Sequence, residues 1–167
     1  LTQVLATLSW IWSYGNADES FSIDKLSIEV LRRKIGLGCS KLSLLCSKVL
    51  CELGYNSRVV ACYSLDEWDG FDDGHTMVEV YNENNGWILY DPSFKCVFAR
   101  DSKFLSLLEV VHCIRTKMKY NLQIFDGGEK LSVFRSNSYN YDFWIEERMY
   151  SETRLREWYN HIFGIPM

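Results

Sequence analysis

The sequence predicts an α+β fold, with N-terminal helices and a cysteine-bearing helix packed on a mainly antiparallel sheet. Two observations predict it. Between residues 39 and 53 apolar side chains recur at three- and four-residue intervals, the spacing of one helix face. Between residues 57 and 94, three runs of β-forming residues follow one another, separated by Gly-, Asn- and Asp-rich turns. A block of strands after a block of helices is the order of an α+β domain.

Composition sets the frame. With 167 residues, 47% of them hydrophobic and 15% aromatic, the chain has enough apolar surface for one folded core. A net charge of −4 and a pI near 5.4, without any Lys/Arg run of five, offer no general attraction to nucleic acid or anionic membrane. No stretch reaches the 18 or so apolar residues of a membrane span. The opening "LTQVLATLSWIWSYG" has neither the basic leader nor the small-residue cleavage site of a signal peptide, so a cytoplasmic location is expected. It has no initiator Met either, which fits a processed N-terminus or a piece of a longer protein.

Taken in order, Leu1, Val4, Leu5, Leu8, Ile11 and Trp12 predict a helix over 1–14, broken by "GNADES". Leu26, Ile28, Val30, Leu31 and Ile35 predict a second over 23–35, ended by Gly36 and Gly38. The third is the clearest: Leu42, Leu45, Cys46, Val49, Leu50 and Leu53 form one face, and Gly54 stops it. "SRVVACY" (57–63) reads as a strand, 64–74 as an acidic loop, and "HTMVEVY" (75–81) as a strand. "NENNG" (82–86) is a turn, and "WILYDPSF" (87–94) begins as a strand that Pro92 stops. Beyond it, 102–118 is an amphipathic helix and 121–134 a hairpin around Asp126–Gly127–Gly128. "SNSYNYDFW" reads as a loop and 143–163 as a closing helix. No repeat or linker divides the chain, so one domain is expected over 1–167, with core blocks at 36–94 and a helical and hairpin extension over 101–167.

The six cysteines (Cys39, Cys46, Cys51, Cys62, Cys96, Cys113) form no C-x-x-C pair and precede no His pair at zinc-ligand spacing. A chain this long and apolar has little need of a disulfide framework. On a helical wheel Cys46 lies in the apolar face, Cys51 opposite it with Ser40 and Ser47, and Cys39 at the N-terminal end. Three thiols in three environments do not converge on a metal, and no metal or cofactor is expected. The carboxylates Asp66, Glu67, Asp69, Asp72 and Asp73 lack the spacing of a calcium loop and read as a solvated loop. His112 and His161 have no ligand partners nearby in sequence and read as structural or surface residues. The aromatic C-terminus (Tyr139, Tyr141, Phe143, Trp144, Trp158, Tyr159) reads as a cap on the domain or a peptide or carbohydrate platform.

Cysteine chemistry needs a thiolate, and a helix N-terminus favours one through its unpaired N–H groups and dipole. Cys39 occupies that position. A nucleophile also needs a base, and the base a third group to orient it. His75 opens one strand and Asp91 closes the next. If their hairpin centres near residue 83, His75 stands directly opposite Asp91 and both point to one face of the sheet.

These stretches carry a family likeness. "GCSKLSLLCSKVLCELGYNSRVV" resembles the Cys block of transglutaminase-like proteins of the papain-like cysteine protease superfamily. "GHTMVEVY" resembles their His block, and "GWILYDPSF" their Trp-x-x-x-Asp-Pro block, in the same order over residues 36–94. Thr76–Met77 stand where many relatives carry a small residue and Trp. The resemblance implies Cys39 as nucleophile, His75 as general base and acid, and Asp91 as the residue orienting His75. It further implies that Trp87 packs under the site, that Arg58 supports the fold, and that an upstream Trp, Trp10 or Trp12 by chain order, is a candidate oxyanion donor beside the Cys39 N–H.

The expected activity is cysteine-dependent acyl transfer to, or hydrolysis of, an amide or ester in a peptide, protein or small molecule. One alternative is an inactive relative that binds a peptide or protein in the same groove. Another is a tailoring enzyme of polysaccharide or peptide modification. A glycosidase would need two opposed carboxylates, and no such pair stands out.

Overall fold

The computed structural model describes residues 1–63, 74–125 and 152–163. The acidic loop, the second half of the expected hairpin, and residues 126–151 leading into the closing helix lie outside the described residues.

Helix α1 (Thr2–Ile11) ends three residues earlier than its periodicity predicts. Trp12–Tyr14 instead forms strand β1, paired in parallel with β2 (Ile35–Leu37) through Trp12↔Ile35 and Tyr14↔Leu37. The second helix is cut short in the same way, α2 spanning only Ile23–Glu29. Helical spacing misleads here because Trp12, Ile35 and Leu37 are fully buried as extended chain. Asp18 fixes the arrangement: its carboxylate accepts from Gly36 N–H at 2.9 Å and from two Arg33 nitrogens at 2.6 and 3.1 Å.

Helix α3 (Cys39–Glu52) follows directly and matches its expected face, with Leu42, Leu45, Cys46 and Leu50 buried. It ends with paired bonds from Gly54 N–H to the Cys51 carbonyl and from Tyr55 N–H to the Leu50 carbonyl. Gly54 adopts φ +86°, a conformation that costs a glycine nothing, which explains the stop.

The sheet runs β3 (Ser57–Tyr63), β4 (Gly74–Asn82), β5 (Gly86–Asp91), β6 (Cys96–Arg100), β7 (Lys103–Phe104), all antiparallel. No strand was expected directly after Pro92. Asp91 makes β6 possible: its Oδ1 accepts the N–H groups of Ser93 and Phe94 at 2.8 and 3.2 Å, turning the chain so that Cys96 lies beside Asp91. Helix α4 (Leu107–Arg115) starts five residues later than predicted, at a capping box in which Ser106 and Glu109 each bond the other's backbone N–H. The expected first hairpin strand exists as β8 (Asn121–Ile124), and it pairs with β6.

Helices cover both faces of the sheet, whereas sequence order suggested one. Leu5, Leu26, Leu42, Leu45 and Cys46 from α1–α3 pack with Val78, Val80, Ile88 and Tyr90. On the other face Met77, Leu89, Phe94 and Phe98 pack with Val110 of α4 and with Leu155, Trp158, Tyr159, Ile162 and Phe163 of α5 (Glu152–Phe163). Buried Glu79 ties three elements of that side, accepting from Arg58 at 2.6 and 2.8 Å and from Leu107 N–H at 2.7 Å. Arg58 thus supports the fold as expected. Among the described residues no helix is long and apolar enough to cross a membrane.

Candidate active site

The three predicted residues come together where the two layers meet. Cys39 arrives on the first turn of α3, His75 on the second residue of β4, and Asp91 on the last residue of β5.

The strand register differs from expectation. Val78 pairs with Tyr90 rather than Ile88, so the β4–β5 ladder is shifted by two residues and His75 is diagonal to Asp91. Because side chains alternate with a period of two, a shift of two leaves both on the same face. His75 Nε2–H donates to Asp91 Oδ2 at 2.6 Å, with both side chains buried. That leaves Nδ1 for the Cys39 thiol, which the His75 ring influences electrostatically.

Polar stitches set the spacing between α3 and β4. Ser43 Oγ donates to the Thr76 carbonyl at 2.9 Å, and Ser40 Oγ lies 3.1 Å from Thr76 Oγ1. Sequence reading noted Thr76 only as a departure from relatives; the bond between its hydroxyl and Ser40 explains a hydroxyl there. On the other side of Cys39, Glu19 accepts the Gly38 N–H, and Lys41 donates to the Glu19 carbonyl. A side chain at Gly38 would meet the Glu19 carboxylate at 3.0 Å, so glycine suits this close approach. As N-cap, Gly38 has no side chain to occupy the first-turn N–H groups.

The electrostatics follow from these contacts. Burial would raise the Cys39 thiol, but the hydrogen bond and charge of His75 and the Thr76 N–H outweigh it and hold the thiol below its ordinary value. Burial would lower His75, but the charge and hydrogen bond of Asp91, with help from Cys39, raise it to about 9. A thiol shifted down beside an imidazole shifted up is the pair of directions that favours a thiolate beside an imidazolium. Cys46, seven residues along the same helix, shows the contrast: burial alone pushes its thiol well above the ordinary value. Cys62 is likewise pushed up, to about 12, chiefly by burial.

The remaining candidates fall elsewhere. Cys51 is exposed at the far end of α3, roughly 18 Å from Cys39 at 1.5 Å per residue. Trp87 pairs with Tyr81 near the distal turn of the hairpin and stacks under Arg58, so it does not pack under the site. Trp10 is half exposed, whereas Trp12 is fully buried with its indole N–H unbonded among the described residues. All six cysteines are free thiols, and no group of three metal-ligating side chains comes together among the described residues. The carboxylates of the 64–74 loop lie outside the described residues.

Helix α5 contributes what the sequence did not assign. The Tyr159 hydroxyl donates to Asp91 Oδ2 at 2.6 Å, and the Trp158 ring meets the His75 ring edge-on with centroids 4.9 Å apart. Both aromatics are buried, so they cap the domain and are not a platform for a ligand. The aromatic density of the C-terminus was visible in sequence, but nothing there singled out which ring reaches Asp91.

Comparison with known proteins identifies the family. The profile of the transglutaminase-like superfamily matches residues 2–92, more than half of the chain and all three residues of the cluster. The chain belongs to the transglutaminase-like superfamily. Among solved structures, this transglutaminase-like chain is similar to the periplasmic domain of TgpA from Pseudomonas aeruginosa, crystallised with ethylmercury, at 21% identity and a TM-score of 0.44. That likeness covers 56% of this chain and 37% of the other, so the chain spans little more than a third of that domain. No curated protein matches it.

Proposed function

We propose that this transglutaminase-like chain is a cysteine hydrolase or acyltransferase acting on an amide or ester carbonyl through Cys39, His75 and Asp91. The observation that supports it best is the buried 2.6 Å bond from His75 Nε2 to Asp91 Oδ2, with the same His75 ring holding the Cys39 thiol below its ordinary value. A purely structural role requires none of the three in that relation.

The Cys39 thiolate attacks the carbonyl carbon and the carbonyl π pair moves onto oxygen. The oxyanion is met by the uncapped Cys39 N–H at the helix start. As the tetrahedral intermediate collapses, the bond to the leaving amine or alkoxide breaks and His75 gives that group its proton from Nδ1. A thioester remains. Water or an amine then attacks it, His75 takes the proton of the incoming group, and the thiolate leaves. Asp91 holds the ring in the orientation and tautomer that both steps require.

The test is the iodoacetamide alkylation rate of each cysteine against pH, read by peptide mass spectrometry in wild type and His75→Ala. Cys39 alone is expected to react fast below pH ~7 and to lose that advantage in the variant. A Cys39 that titrates as an ordinary thiol in both proteins would sink the enzymatic reading in favour of a binding module.

A further inference from the structure

Helix α5 lies outside the stretch that carries the family match, yet two of its residues complete the surroundings of His75 and Asp91. Asp91 is fully buried, and each of its oxygens accepts two bonds. Oδ1 takes the Ser93 and Phe94 N–H groups, which fold the turn. Oδ2 takes His75 Nε2–H and the Tyr159 hydroxyl, both at 2.6 Å. His75 and Tyr159 therefore share one oxygen.

We infer that Tyr159 is a positioning residue of the site: by sharing Oδ2 it fixes the Asp91 carboxylate toward His75 and limits how strongly Asp91 holds the His75 proton. The inference rests on the proposed role of Cys39, His75 and Asp91. A carboxylate oxygen that accepts a second short bond has part of its charge already neutralised, so its bond to an imidazolium is weaker than it would be alone. That matters because a general acid must release its proton to the leaving group, and one held too tightly is a poor acid. Trp158 supports the arrangement by closing the ring of His75 against the core.

The hydroxyl is separable from the packing of its ring. Tyr159 packs edge-on against Phe98 at 4.7 Å between centroids and stacks on Phe163 at 5.5 Å, contacts that phenylalanine keeps. Its other polar neighbour is the Cys96 thiol at 3.5 Å, a weak partner. The remaining groups around His75 and Asp91 leave the proton to this trio. From β3, Cys62 stands across from His75 with its thiol pushed up to about 12. From β5, burial pushes Tyr90 well above its ordinary value. Glu79, further along β4, is ion-paired with Arg58, and Lys95 lies buried in the turn after Asp91. From α3, Cys39 is the partner already described.

The experiment is a proton NMR titration of His75 together with the Cys39 alkylation profile, in wild type, Tyr159→Phe, Asp91→Asn and the double variant of the full chain. Removing the shared donor is expected to move the Nε2–H resonance downfield and to raise the pH at which His75 loses its proton by about half a unit or more. In the Asp91→Asn background the same substitution should move neither. A folded Tyr159→Phe with both readouts unchanged, or with equal shifts in both backgrounds, overturns the inference and leaves the proposed triad intact. A wild-type Cys39 without low-pH reactivity overturns the triad itself, and the inference with it. Should Tyr159→Phe fail to fold, the wild type decides: cross-relaxation between His75 Nε2–H and the Tyr159 hydroxyl proton supports the shared oxygen, and its absence overturns it.

Discussion

His75 has two neighbours in unlike settings. Cys39 is half-buried at a helix end that a glycine leaves uncapped, held by serine and threonine bonds to β4. Asp91 is sealed beneath aromatic rings with both oxygens fully used. The difference fits the roles proposed for each. A nucleophile has to meet its substrate, so its surroundings leave room. An orienting carboxylate has no need to meet substrate, and exclusion of water strengthens its bonds to the imidazole and the Tyr159 hydroxyl.

The most severe way to break this contrast is at the nucleophile. Cys39→Ala is expected to lower hydrolysis of a reactive thiol-acylating ester such as p-nitrophenyl acetate to the level of the remaining thiols, a loss of at least about 10³-fold from the rate of Cys39 itself. Persistence of the wild-type rate would move the chemistry elsewhere.

On the sealed side, Asp91→Asn should keep the fold and lower that rate by roughly 10²- to 10⁴-fold, because the ring loses its orienting acceptor. Asp91→Ala should in addition cost on the order of 3–5 kcal/mol in urea unfolding, since it strips the acceptor from the Tyr159 hydroxyl, two N–H groups and His75. Equal stability of the two variants would mean that the buried bonds carry little.

Away from the site, Glu79→Ala should destabilise by about 2–3 kcal/mol, less than a fully buried pair because Arg58 is half exposed. Cys39 reactivity should survive; its loss would place Glu79 within the site's reach.

The pH dependence of stability sharpens the comparison. His75 is raised to about 9, so its proton contributes stability fully below about 6.5 that is lost as pH rises through about 9. Cys39 is lowered, so its thiolate contributes stability above the ordinary thiol value of 9.0 that is lost as pH falls through its folded pKa. Where both shifts act, the folded chain holds more proton on His75 and less on Cys39, so the two slopes oppose each other. Wild type is therefore expected to vary less with pH between about 6.5 and 9 than Cys39→Ala, which should lose on the order of 1–3 kcal/mol with rising pH. Parallel slopes in urea unfolding would show that no ion pair forms. The smallest effect expected is at Cys51, exposed at the other end of α3, where serine should change stability by less than about 0.5 kcal/mol and leave Cys39 reactivity untouched.

What was legible in the sequence was mostly local. Helix α3 declared itself through Leu42, Leu45, Cys46 and Leu50 and its Gly54 stop, and the position of Cys39 followed. The shared face of His75 and Asp91 was legible because parity survives an error of two residues; the register was not, because a turn rich in Asn gives no sharp centre. Trp12 and Ile35 were misread because an apolar residue at helical spacing is also an apolar residue in a strand. Strands β6 and β7 were hidden behind Pro92, whose stop signal is real but whose sequel depends on the Asp91 carboxylate capturing two N–H groups. The part played by Tyr159 depends on how α5 docks, and a contact across 68 residues leaves no periodic trace.

That long separation also orders events during synthesis. A ribosome adding about 5–20 residues per second reaches Tyr159 several seconds after it has made Asp91. Until α5 is made and docks, Asp91 Oδ2 lacks its Tyr159 donor and the His75 ring lacks its edge contact with Trp158. The surroundings of the candidate site are therefore completed only after the whole stretch that carries the family match has been made.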